Sequence, residues 1–146
     1  MTFSPLPCRI SKFRANESGG AAVEFALSAP VFVLLLLGML GYGIYLGTAH
    51  QVQELATNSA RTALAGLNTA ERNSLVASFV ASNIGSYSFI DNSKLRYMVS
   101  NSADQNEVIV TVNYNAAELP IWSLLPASLL PSKQIIRTSS VRIGGL

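Results

Sequence analysis

Between Phe25 and Ala49 the chain carries no Asp, Glu, Lys or Arg, and this one stretch limits what the protein can become. Within it, Ala26 to Leu46 is an apolar run of 21 residues, interrupted only by Ser28 and Pro30. As an α-helix it extends about 32 Å, close to the thickness of a bilayer's hydrocarbon core. Backbone crossing lipid must satisfy its own polar groups, so a helix is the form open to it there. The rest reads as ordinary soluble sequence. In a chain of 146 residues that leaves room for one modest domain beside the helix.

Charge is scarce and unevenly placed. Charged residues make up 12% of the chain and the net charge is +2. Arg9, Lys12 and Arg14 against Glu17, all before Gly20, account for that imbalance, and the remainder is neutral. A neutral body carries no electrostatic footprint for nucleic acid. The positive-inside rule puts the basic arm in the cytoplasm and the C-terminal part outside it, across a lipid bilayer. Tyr42 and Tyr45 then fall at the outer interface, where an aromatic belt belongs. Gly47-Thr48-Ala49 resembles a signal-peptidase site, but the apolar region is far longer than the usual 7–15 residues of a secretory signal, so a retained anchor is expected. Cys8 is the only cysteine, which excludes an intramolecular disulfide. It precedes the apolar run, whereas a lipid-acceptor cysteine would follow it.

At the head of the helix the sequence reads Ser18-Gly19-Gly20-Ala21-Ala22-Val23-Glu24-Phe25-Ala26-Leu27-Ser28-Ala29-Pro30. A carboxylate at the mouth of a membrane helix is costly without a partner or a wet location. Glycine, four small or apolar residues, Glu-Phe and an apolar helix together form the processing pattern of type IV pilin-like proteins. Gly19, Glu24, Phe25, Ala26, Leu27 and Pro30, with the basic leader before and the Leu-rich run after, closely resemble the TadE-like pseudopilins of the tight-adherence (Tad/Flp) pilus system. The resemblance covers residues 17 to about 66 and is looser beyond.

That resemblance implies cleavage between Gly19 and Gly20 by a membrane-embedded prepilin peptidase, leaving Glu24 as the fifth residue of the mature chain. Glycine suits a cleft that must hold backbone extended and close. The implied protein is a bacterial inner-membrane precursor, then a minor pilin or pseudopilin acting in Tad/Flp pilus assembly or initiation. Implied partners are the prepilin peptidase, other pilins and pseudopilins, and the inner-membrane assembly platform. Glu24 and Phe25 would serve assembly. Major Flp pilins are very short, so the sizeable C-terminal region points to a minor component. The rival is a generic single-pass anchor presenting a periplasmic binding or sensing domain. It shares the topology but needs neither cleavage nor Glu24.

Gly43-x-x-x-Gly47 is a helix-packing pattern. Beyond it, Val52, Leu55, Ala56, Ala60, Ala63, Leu64 and Leu67 form one helical stripe, predicting an amphipathic stem to about Ala65. Gly66 and Asn68 end it, and Asn68 with Glu71 three residues later suits a new N-cap. Leu75, Val76, Phe79, Val80 and Ile84 predict a second helix stopped by Gly85. The period then changes to two. Leu95, Tyr97 and Val99, a polar turn at 101–106, and Val108, Val110, Val112 and Tyr114 predict a β-hairpin, with Gln134 to Ile143 as a third strand. The expected fold is α+β: a transmembrane helix continuing into an amphipathic stem, then a short helix and a small antiparallel sheet, pilin-like. Its divisions are a leader at 1–19, a membrane helix at 20–49, a stem at 50–67 and a periplasmic domain at 68–146.

Pro120-Ile-Trp-Ser-Leu-Leu-Pro126-Ala-Ser-Leu-Leu-Pro131 is an apolar, proline-punctuated loop holding the only tryptophan. It reads as a cover over the sheet, or as a patch facing a partner or the membrane surface. Catalysis is not expected. His50 is the single histidine, no nucleophile elbow or phosphate loop occurs, and no metal or cofactor spacing is present. Asp91 and Asp104 lie in turn-like sequence, where capping explains them.

Overall fold

The structure, a computed structural model, describes residues 17 to 144. Arg9, Lys12 and Arg14 of the basic leader, and Cys8, lie outside the described residues. Helix α1 (Glu17–Ala63) is followed by α2 (Thr69–Asn83), β1 (Leu95–Asn101), β2 (Glu107–Asn115), the short helix α3 (Ile121–Leu124) and β3 (Gln134–Arg142). The strands form an antiparallel sheet in the order β1-β2-β3. The expected α+β class is the one observed. The chain divides into two compact units, Met1–Leu36 and Leu37–Leu146, and the division falls within the 20–49 segment read as membrane helix.

In the first unit, the described stretch of α1 is exposed nearly throughout: Phe25, Leu27 and Val31 are each about two-thirds or more accessible. Pro30 lies inside the helix. Its missing N–H removes the bond to the Ala26 carbonyl. Ser28 turns its hydroxyl back onto the Phe25 carbonyl at 3.2 Å, as serines inside helices do.

The second unit is built on the helical stripe. Val52, Leu55, Ala56, Ala60 and Ala63 are all fully buried. Leu64 and Leu67 were expected to extend the stripe, but they are exposed, Leu67 by 90%. The helix stops at Ala63 and winds through turn bonds to Gly66, the last from Gly66 N–H to Ala63 C=O at 3.1 Å. The cause lies at Gly66. A Cβ there would stand 2.7 Å from Arg72 Cγ and 2.8 Å from the Arg72 nitrogen, so only glycine admits the returning α2.

The expected cap starts α2. Asn68 Oδ1 accepts the Glu71 N–H at 2.9 Å, and Glu71 Oε2 reaches back to the Leu67 N–H at 2.8 Å. The helix ends at Asn83, two residues before Gly85, and tightens into a 3₁₀ turn. Val76 and Val80 face the core.

Central strand β2 alternates without exception: Val108, Val110, Val112 and Tyr114 point inward. Against it lie Val99 opposite Val110 and Leu95 opposite Tyr114 from β1, and Ile135 opposite Tyr114 from β3. Tyr97 shares the inner face but is 37% exposed, because β1 is an edge strand and its middle is not covered. Gln105 closes the hairpin turn at φ 55°, a left-handed conformation usually left to Gly or Asn. Buried Ser59 Oγ, on the helical stripe, has no hydrogen-bond partner.

Candidate processing and assembly segment

Gly19 and Gly20 lie in the first turns of α1, and Glu24 and Phe25 follow in the same helix. A side chain at either glycine would meet nothing within 4 Å. Their lack of a Cβ is therefore not demanded by packing in the folded chain. Glycine is the weakest ordinary helix former, costing about 1 kcal/mol per residue against alanine, so the pair weakens this turn of α1. Phe25 is 71% exposed, and Glu24 also stands on the open surface of the helix. Gly19, Gly20, Glu24 and Phe25 are thus presented on one bare helical segment rather than gathered into a pocket.

The pair Gly43 and Gly47 separates by role. Gly47 receives the Phe89 ring, with Cε2 3.4 Å from its Cβ position, whereas open space surrounds Gly43. Two glycines the spacing did not single out are approached at least as closely, measured again from the Cβ position. Gly41 has Ile121 Cγ1 at 3.2 Å and Ile121 Cα at 3.4 Å, and Gly38 has Leu125 Cδ2 at 3.4 Å. The Pro120–Pro131 loop therefore packs on the apolar run. Tyr42 donates its hydroxyl to the Leu129 carbonyl, and Tyr45 donates to the Ser132 carbonyl at 3.1 Å. A further anchor lies after α2. Gln51 Oε1 accepts the Phe89 N–H at 3.0 Å, and Asn58 donates to the Tyr87 hydroxyl at 3.3 Å.

Arg72 also escaped the sequence reading. It is 6% exposed and bonds Gly66 C=O through Nε at 3.0 Å and Asn101 Oδ1 through Nη1 at 2.8 Å. Its signal was weak: one arginine among the polar positions of an amphipathic helix looks solvent-facing. Its bonds join the α1–α2 turn to the end of β1.

No metal-binding cluster of His, Cys, Asp or Glu occurs among the described residues, and His50 is exposed. A polar hollow of about 280 Å³ opens beside Lys94, Arg96 and Gln134. Both cations there are already engaged, Lys94 by Asp91 and Glu118, Arg96 by the Leu95 carbonyl. Asp91 caps the 3₁₀ turn before β1, as its turn-like setting suggested.

Among the described residues one helix is long and apolar enough to cross a membrane, consistent with membrane anchoring, and a small α+β domain follows it. Residues 19–61 match the family model described as TadE-like protein. No curated protein and no solved structure matches it. The match begins at Gly19 and ends two residues before the end of α1, so it covers the helix and leaves the sheet domain outside.

Proposed function

We propose that the chain is a minor pilin or pseudopilin of a Tad/Flp-type pilus, anchored in a bacterial inner membrane and acting in pilus assembly or initiation. The carrying observation is the family match that starts at Gly19 and contains Glu24 and Phe25 on an exposed helix. Prepilin peptidase cuts before Gly20 from the cytoplasmic face, where Arg9, Lys12 and Arg14 hold the leader. The exposed face of the helix then packs against other pilins or the assembly platform. The β-sheet domain stands outside the cytoplasm. No enzymatic step or cofactor enters this reading: the protein works by insertion and packing.

N-terminal sequencing of the membrane-extracted protein from a host with active prepilin peptidase tests this. A mature chain beginning at Gly20 is expected, and Gly19→Phe should leave the precursor uncut. Retention of Met1 would overturn the reading in favour of a plain anchor presenting a periplasmic domain.

A further inference from the structure

We propose that the Pro120–Pro131 loop is a lipid-facing shelf, resting in the bilayer interface beside the domain end of the membrane helix. This rests on the membrane-anchor reading of α1, not on the pilus role. The first argument is position. The loop seats Ile121 on Gly41 and Leu125 on Gly38. These glycines lie five and eight residues before the end of the apolar run at Leu46, about 8 and 12 Å along a helix. A run that spans a bilayer therefore carries the loop with it to interfacial depth, near the ~5–10 Å at which interfacial helices bury their apolar faces.

Surface chemistry agrees. From Pro120 to Pro131 there is no charged residue, and Leu129 is 55% exposed. Several of the loop's backbone groups also need no water, which suits a poorly hydrated layer where each polar group without a partner is costly. Pro120, Pro126 and Pro131 have no N–H to satisfy. Leu129 N–H bonds Pro126 C=O at 3.0 Å and Ser123 N–H bonds Pro120 C=O at 3.1 Å. The Leu129 carbonyl takes the Tyr42 hydroxyl. At the loop's margin Lys133 stands 5.4 Å over the Trp122 ring, an aromatic–cation pair suited to the headgroup layer.

The test uses the full chain in phosphatidylcholine vesicles. On a Cys8→Ser background, nitroxide labels go at Leu129→Cys and, for reference, at Leu34→Cys; both leucines are 55% exposed. Collision with oxygen and with a water-soluble nickel chelate then reports depth. Lipid exposure at both sites, shallower at 129, is expected. Lipid exposure at 34 with water exposure at 129 overturns the shelf and leaves the anchor standing. Water exposure at both overturns both. Shielding of 129 from both reagents means another protein covers the loop, which also overturns the shelf. In the unlabelled chain Trp122 is the only tryptophan. Its emission should fall with lipids brominated near the headgroup, more than with lipids brominated at the chain ends. No loss with either would overturn the shelf.

Discussion

Tyr42 donates its hydroxyl to the backbone carbonyl of Leu129, 87 residues further along the chain. This bond ties a residue of the apolar helix to a loop that also packs on Gly38 and Gly41. Tyr42→Phe keeps the ring and leaves the carbonyl without its donor, so a loss of about 1 kcal/mol is expected. Proteolysis within the 120–131 loop should quicken while cleavage elsewhere is unchanged. Equal susceptibility of the two proteins would show that the bond does not hold the loop.

Gly41 and Gly43 should respond oppositely to a large side chain. Gly41→Leu must displace Ile121, whose Cα stands 3.4 Å from the added Cβ, at about 1–3 kcal/mol in domain stability. Gly43→Leu enters open space and should leave thermal unfolding unchanged. If pilin helices pack at Gly43, the same substitution will reduce pilus assembly at normal protein levels. Unfolding curves for the pair, measured in one detergent, separate the two roles.

Arg72→Met should destabilise the domain by roughly 1–3 kcal/mol, because the Gly66 carbonyl and the Asn101 side chain lose their shared donor. Arg72→Lys retains the charge but cannot span both acceptors, so only partial recovery is expected. Denaturant midpoints measure this. A wild-type midpoint for Arg72→Met would remove Arg72 from the fold's supports.

Glu24→Gln keeps the size of the side chain and deletes its charge. The proposed cut before Gly20 would create an α-amino group, largely cationic at neutral pH, four residues from Glu24 on the same helix. The carboxylate is expected to pair with that amine, in its own chain or a neighbouring one. Insertion and processing should therefore be normal and pilus number reduced. Wild-type piliation at equal levels of processed protein would exclude the pairing.

Stability should be level through neutral pH and fall at both extremes. Hydrogen bonds from the Ser93 hydroxyl and N–H, with Lys94 nearby, hold Asp91 below its ordinary value of 3.8. That contribution is complete above the ordinary value and is lost as pH falls through the folded one. The hydrogen bond to Glu118, with Asp91 behind it, holds Lys94 above 10.5. Its contribution is complete below 10.5 and is lost as pH rises through the folded value. These groups are near solvent, so salt should weaken both effects. Melting temperatures of Asp91→Asn against wild type should converge in acid and differ at neutral pH.

The Asn68–Glu71 cap, the alternation of β2 and the third strand at Gln134 were legible because each depends on neighbours a few residues apart. The stripe from Val52 to Ala63 was equally plain, since helical periodicity is local. Its last two leucines misled. Whether Leu64 and Leu67 face the core depended on where α2 returns, and that is set by Arg72 closing on Gly66. The spacing of Gly43 and Gly47 invited a shared role, yet Gly47 meets Phe89 while Gly43 faces open space.

The sequence by itself determined that there is one apolar helix fit for a membrane, a processing-like motif at its head and a small α+β domain after it. Those follow from composition, period and short motifs. Only the tertiary structure decided which glycines meet a partner, that Arg72 is buried, and that the proline loop rests on the helix beneath Tyr42. Such contacts join residues far apart in the chain, and close packing, which no local pattern encodes, selects among them.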